Sequence, residues 1–157
     1  RRAHVTNGLE LGKKYRLPGL VRGFIPQHHG TRLVTYFYRR AASSGEPLMV
    51  ADYRYEGPRP QAREAAIVML ADSCEAVARA RQDEGAPSLD QMVDAVFAER
   101  LAEGQLDQCD ITLRDLQAVA ASFKATLRAV YHPRVAYPSP TPEEIATLAR
   151  GETPVAP

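Results

Sequence analysis

The sequence contains no tryptophan, only two cysteines and no long apolar run. Cys74 and Cys109 lie far apart in no metal-binding spacing, which argues against a cysteine-based zinc cage and indicates buried or semi-buried thiols in a reducing compartment. No segment approaches the roughly 20 apolar residues of a membrane span, and we expect no signal peptide. An excess of one charge is also missing, since 20 basic and 19 acidic residues give a net charge of +1. This balance argues against nucleic acid or an anionic membrane surface as the main partner.

The residues that are present suit one globular domain, because 45% of the 157 residues are hydrophobic and 25% are charged. Apolar residues recur mostly at spacings of three and four, which predicts an all-α fold with one long helix at about 61–82. Three later helices have start signals, in which a cap residue is followed three positions later by an acceptor. These pairs are Ser88 with Gln91, Thr112 with Asp115, and Thr141 with Glu144.

Two adjacent histidines, His28 and His29, follow a helix that contains Pro26. The proline predicts a kink or short break, with the histidines in the turn just after it. Thr31 is a plausible cap for the next helix. The segment 41–61 is rich in glycine and proline and is long for a compact domain, so we treat it as a functional loop.

His28 and His29 also continue an apolar stripe, so both would need polar partners if that stripe is buried. The stripe consists of Leu20, Val21, Phe24 and Ile25. From spacing alone, a metal site and a capped helix end remain equally open. His4 shares a helix face with Leu11 and, taken alone, is typical of a hydrogen-bonded core histidine.

Asp72 lies in a largely apolar helix, where an unpaired buried carboxylate would be costly. It is either exposed on the flank of the helix or held by a cation. One geometry accommodates Asp72 and the three histidines together, because imidazole and carboxylate groups form a ligand set suited to zinc, manganese or iron. An open site of this type indicates hydrolysis, with phosphate esters as natural substrates.

Three stretches resemble a known family: "HVTNGLELGKKYRLPGLVRGFIPQHHGTRLVTYFY", "DYRYEGPRPQAREAAIVMLADSCEA" and "ERLAEGQLDQCDITLRDL". They are similar to the C-terminal part of the cytoplasmic HD domain of the seven-transmembrane HD receptor family, which are bacterial cyclic-di-AMP phosphodiesterases. The resemblance implies an HD-type helical bundle over residues 1–138, truncated at its N-terminus, followed by a helix and tail over 139–157.

The resemblance also implies a centre of two divalent ions, usually iron or manganese, that hydrolyses cyclic di-AMP to pApA. By matching position, His4, His28 and His29 would bind one ion and Asp72 the other. Tyr36, Arg54 and Tyr55 are candidates for contact with the cyclic dinucleotide.

The family carries a further histidine and a His–Asp dipeptide upstream, and no His–Asp dipeptide occurs in this chain. We therefore expect a soluble fragment that binds metal weakly and turns over little substrate. Its parent would be anchored at the cytoplasmic face of the membrane by segments absent here, with a homodimer left open. Two alternatives remain: a non-catalytic helical sensory or scaffold module, and an HD hydrolase of another cyclic dinucleotide or nucleotide.

Overall fold

Helices make up all of the regular structure in the described part of the chain, residues 3–45, 48–80, 87–131 and 141–151 of a computed structural model. One short 3-10 helix, Val50–Tyr53, accompanies the α-helices. The α-helices are α1 (Ala3–Lys14), α2 (Gly19–Gln27), α3 (Thr35–Ala42), α4 (Arg63–Ala80), α5 (Leu89–Ala102), α6 (Leu113–Val130) and α7 (Pro142–Ala149). These ranges contain no β-strand, and the predicted all-α fold is confirmed.

The hydrophobic core lies where α4, α5 and α6 pack against one another. Ala66, Leu70, Cys74 and Ala78 of α4 recur every four residues and are buried as one stripe. The facing core residues are Val93, Val96 and Phe97 of α5 and Leu116 and Leu127 of α6. Burial of each large side chain contributes about 1.5–3 kcal/mol. Since α4 also contacts α2, the core fixes the helix that precedes the histidine pair.

Two of the three predicted helix starts are complete capping boxes. The side chain of Ser88 accepts from the Gln91 backbone N–H, and Thr112 does the same for Asp115 at 3.1 Å. Hydrogen bonds from the Thr112 backbone and hydroxyl lower the pKa of the Asp115 carboxyl. α7 begins at Pro142, but the side chain of Glu144 and the proposed boundary at 138–139 lie outside the described residues.

The predicted burial of the α2 stripe is wrong at Leu20 and Val21, which are 71% and 43% exposed. The reason is that α2 meets α1 through Ile25 and Arg22, which lie against Gly8 and Gly12. A Cβ added at Gly8 would lie 3.0 Å from Cγ2 of Ile25, so the two helices approach closely there. Leu11, on the α1 face that His4 shares, is also exposed.

The turn after α2 contains both histidines, as predicted, but no break occurs at Pro26. The helix runs through the proline and ends at Gln27, with His28 as its C-cap. The predicted cap at Thr31 is wrong, since α3 begins only at Thr35 and has no side-chain cap.

The loop between α3 and α4 is attached to this turn by an isolated antiparallel bridge between Leu33 and Arg54. The Val34 N–H donates to the Tyr53 carbonyl at 2.7 Å, and the Tyr55 N–H donates to the Arg32 carbonyl at 2.9 Å. The bridge thereby fixes Tyr55 close to the histidine pair. Within the described ranges, every helix is too short or too polar to cross a lipid bilayer.

Candidate metal centre

Three histidines from two parts of the chain converge at one end of α1. One ring nitrogen from each of His4, His28 and His29 lies within 4.8 Å of the other two. The closest pair is formed by the Nε2 atoms of His4 and His29, which are 2.9 Å apart. Packing of α1 on α2 produces this meeting, because α1 carries His4 and the turn after α2 carries the pair.

His28 is oriented by its own helix. Its Nδ1 lies 2.7 Å from the carbonyl oxygen of Ile25. Because a carbonyl can only accept, Nδ1 carries the hydrogen and Nε2 keeps its lone pair. A backbone carbonyl that fixes the tautomer in this way is the usual support for a histidine that binds metal.

His29 is largely buried, with a side chain that is 13% exposed. Burial lowers its pKa to about 3, and nearby His28, Arg32 and His4 contribute in the same direction. The ring is therefore neutral at physiological pH, as a metal ligand must be. Tyr55 stacks on it with ring centroids 4.2 Å apart, which covers one face of the imidazole.

Asp72 projects from α4 towards the opposite edge of the His29 ring. One carboxylate oxygen lies 3.6 Å from His29 Nδ1, which is too long for a hydrogen bond. The same Nδ1 is buried and has no hydrogen-bond partner among the described residues. Asp72 is thus a neighbour of the three-histidine cluster rather than one of its members, and its side chain is 43% exposed.

The three ring nitrogens fit a divalent ion. Metal–nitrogen distances of about 2.0–2.1 Å place ligands on opposite sides of an ion about 4.2 Å apart. The nitrogens lie within 4.8 Å of one another and one pair is 2.9 Å apart, so small side-chain adjustments bring all three to one ion. Imidazole nitrogens with a carboxylate nearby are suited to zinc, manganese or iron. The neutral His29 ring and the fixed tautomer of His28 agree with that chemistry.

The three candidate substrate residues lie in different places. Tyr55 borders a cavity of about 150 Å³ together with His29, Val5 and Leu9. Arg54 lies beside the histidine turn, where its Nη1 donates to the carbonyl of Thr31 at 3.0 Å. Tyr36 is 63% exposed on α3 and lines a separate shallow hollow with Arg39 and Arg40.

Two residues near the cluster were missed at the level of sequence. The Arg32 guanidinium donates from Nη1 to Ser73 Oγ at 2.8 Å, beside Asp72, and its positive charge helps to lower the pKa of His29. Gln105 is completely buried and bonds to Thr31. Neither carries a sequence signal, because an arginine after a turn and a glutamine in a Gly-Gln-Leu-Asp segment are typical of solvated positions.

No protein-family model matches the chain. The chain is 34% identical to the cyclic-di-AMP phosphodiesterase PgpH of Bacillus subtilis over 88% of its own length. It is 35% identical to PgpH of Listeria monocytogenes over 87%. It also matches the crystal structure of the L. monocytogenes PgpH HD domain in complex with cyclic-di-AMP, with a TM-score of 0.77 and 34% identity.

The chain is homologous to the PgpH HD domain. The match covers 87% of this chain and 64% of the solved HD domain. The chain spans about a fifth of the length of the curated relatives, with 20% and 19% for the two PgpH proteins. The predicted HD-type helical fold is confirmed, and the HD phosphodiesterase family implies dependence on divalent metal.

Proposed function

We propose that this HD domain is part of a metal-dependent phosphodiesterase that hydrolyses cyclic di-AMP to pApA. The observation that carries the proposal is the convergence of three histidine nitrogens within 4.8 Å in a homologue of the PgpH HD domain. The L. monocytogenes homologue has been crystallised in complex with cyclic-di-AMP, which supports a cyclic dinucleotide as the substrate.

His4, His28 and His29 would hold one ion, and Asp72 would contribute to a second, with iron or manganese as the metals. A divalent ion bound there supplies Lewis-acid activation of the phosphodiester and of a water nucleophile. The residues of this chain hold the ligand atoms in place. The Ile25 carbonyl keeps the Nε2 lone pair of His28 available, and burial keeps His29 neutral.

Tyr55 and Arg54 are the proposed substrate contacts nearest to this cluster. Tyr55 packs on His29 and borders the adjoining cavity, where an adenine could meet an aromatic surface. Arg54 carries a guanidinium beside the turn, and guanidinium groups bind phosphate oxygens strongly. Tyr36 remains a proposed contact at longer range, on the exposed surface of α3.

The proposal extends to the organisation of the whole protein. We assign residues 1–138 to the HD domain and 139–157 to a C-terminal helix and tail. The parent would act at the cytoplasmic face of the membrane, with anchoring segments elsewhere in the protein, and a homodimer is compatible with this arrangement. Nucleic acid is not a proposed partner, because the net charge is only +1.

The test is hydrolysis of cyclic di-AMP by the protein that the gene encodes in full, supplied with Mn²⁺. We expect pApA as the product, faster cleavage of cyclic di-AMP than of cyclic di-GMP, and at least 100-fold loss in a His28→Ala/His29→Ala variant. Preference for another cyclic dinucleotide would favour the alternative hydrolase. Absence of bound metal and of any hydrolysis would favour a scaffold module and end the proposal.

A further inference from the structure

Three turns meet beside the histidine cluster, and each contains a glycine with positive φ. They are the turn around Gly30 (φ +53°), the loop around Gly57 (φ +82°) and the turn around Gly104 (φ +64°). Positive φ strains other residues, so each glycine allows its turn to close tightly. We call this meeting of the segments 27–31, 57–61 and 104–108 the three-turn junction.

Gln105 forms the centre of the three-turn junction and is 0% exposed. Its Oε1 accepts the backbone N–H of Thr31 at 3.0 Å, and its Nε2 donates to Thr31 Oγ1 at 3.2 Å. Both polar ends of the glutamine amide therefore bind one residue that is 74 positions away in sequence. Thr31 follows His29 by two residues, so this pair of bonds fixes the backbone that carries the histidines.

The absence of a side chain at Gly30 allows the histidine turn to approach Gln105 closely. A Cβ at this position would collide with Gln105 Oε1 and would lie 2.6 Å from Cε of Met69. At Gly57 a Cβ would lie 3.0 Å from Cγ2 of Thr31. The histidine turn is therefore enclosed by the core on one side and by the loop around Gly57 on another.

A second set of polar contacts ties the three turns to one another. Gln27 Oε1 accepts the Gln61 backbone N–H at 2.8 Å, and Gln61 Nε2 donates to Gln108 Oε1 at 2.6 Å. Arg59 Nε lies 3.4 Å from Thr31 Oγ1, and its Nη1 lies 3.5 Å from Asp107. The contacts of Gln61 are exposed and the Arg59 side chain is 34% exposed, whereas Gln105 is fully buried.

We infer that Gln105 is a positioning residue for the metal centre: through Thr31 it sets the path of the turn and hence the direction of the His28 and His29 rings. The inference rests on the proposed function. Gln105 touches neither histidine in the contacts described, so its effect passes through the backbone. Substitution of residues that orient ligands typically lowers metal affinity 10–100-fold.

The first test is the Mn²⁺ affinity of the protein that the gene encodes in full, measured as the loss of the free-ion EPR signal during titration. Gln105→Met keeps the volume and removes both hydrogen bonds, and we expect at least 10-fold weaker binding. Leu127→Ala is the control, because it destabilises the core on α6, away from the histidines. It should bind Mn²⁺ within twofold of the parent chain. Equal affinity for Gln105→Met and the control would overturn the inference.

A double-mutant cycle with Thr31→Val tests the route of the effect. If Gln105 acts through Thr31, the double variant should bind Mn²⁺ no more weakly than Gln105→Met alone. Losses that multiply would contradict that route. Should Gln105→Met fail to fold, Gln105→Glu replaces it, because it keeps an acceptor for the Thr31 N–H. The single variant Gln105→Glu should lose less Mn²⁺ affinity than the double variant Gln105→Glu/Thr31→Val. Equal losses of affinity in the two variants would contradict the inference.

A second measurement separates this inference from the proposed function. Hydrogen exchange of the Thr31 amide and the ring NMR signals of His28 and His29 need no metal. In Gln105→Met we expect faster Thr31 exchange and shifted ring signals, with neither change in Leu127→Ala. If the full-length protein binds no Mn²⁺ but these changes occur, the metal site fails and the positioning role holds. Unchanged exchange and unchanged ring signals would refute the positioning role.

Discussion

The buried Nδ1 of His29 lies 3.6 Å from a carboxylate oxygen of Asp72 and has no hydrogen-bond partner among the described residues. An unpaired buried nitrogen normally costs stability, so this arrangement is more typical of a functional site than of a structural one. The carboxylate of Asp72 therefore lies beside the three-histidine cluster without a hydrogen bond to His29.

Asp72→Asn should therefore weaken metal-dependent activity far more than stability. On the proposed function, we expect at least 100-fold loss of cyclic di-AMP hydrolysis by the full-length protein, because the amide removes a negative charge beside the proposed ion site. The free energy of unfolding should change by less than about 1 kcal/mol, since a partly exposed carboxylate contributes little. Steady-state hydrolysis and urea unfolding are the measurements. Glu64→Gln, an exposed carboxylate at the start of α4, is the control and should leave activity unchanged.

The lowered pKa of His29 predicts loss of stability in acid. Its folded-state pKa is about 3 and its ordinary value is 6.5, so the unfolded chain binds the proton more readily between these values. Stability should be fully present above pH 6.5 and decrease as pH falls towards 3. Between pH 7 and pH 4 the expected loss is on the order of 2–3 kcal/mol. Urea unfolding at both values measures it, and a His29→Asn variant should show a smaller difference. An equally large difference in the variant would contradict this origin.

Stacking of Tyr55 on His29 predicts that the aromatic ring matters more than the hydroxyl. Tyr55→Ala should raise the KM for cyclic di-AMP about 10-fold and weaken Mn²⁺ binding, because it uncovers His29. The KM of Tyr55→Phe for cyclic di-AMP should stay within about threefold of the value for the unsubstituted protein. Tyr36→Ala is informative as a comparison, since Tyr36 lies on the exposed face of α3. A larger KM effect from Tyr36 than from Tyr55 would place the main substrate contact on α3.

The close packing of the three-turn junction predicts that substitution of Gly30 lowers the free energy of unfolding. Gly30→Ala combines positive φ with collisions against Gln105 and Met69, and we expect about 2–4 kcal/mol of destabilisation. Gly45→Ala is a matched control, because Gly45 has a φ of +75° and open space around its Cβ position. It should cost only about 1–2 kcal/mol. Equal losses of unfolding free energy for the two variants would show that the collisions do not matter.

The two cysteines should react at different rates with a thiol reagent. Burial raises the pKa of Cys74 to about 11, and its side chain is enclosed in the core. Cys109 is only half-buried. We expect Cys109 to be modified first in the native protein and Cys74 only after unfolding, because the thiolate is the reactive form. Mass spectrometry of the native and urea-unfolded protein distinguishes the sites. Native labelling of Cys74 in a Cys109→Ser variant would contradict the buried position.

Local signals in the sequence predicted the long helix α4 and the starts of α5 and α6. Apolar residues at spacings of three and four, among them Leu70, Cys74 and Ala78, predicted α4, because helix periodicity depends only on near neighbours. The capping boxes at Ser88 and Thr112 were predictable for the same reason, since their hydrogen bonds span three residues. The positions of the histidine pair in a turn also followed from the sequence near Pro26.

Tertiary structure decided which surfaces are buried and how the site is supported. Leu20 belongs to a good apolar stripe and is still exposed, because α2 packs on α1 through Ile25 and Arg22, which meet the glycines of α1. Thr31 looks like a helix cap and instead binds Gln105, from a turn 74 residues later. His4 meets His29 only because α1 folds back on α2. Contacts between residues distant in sequence depend on the packing of whole helices, and no local pattern of residue types encodes that packing.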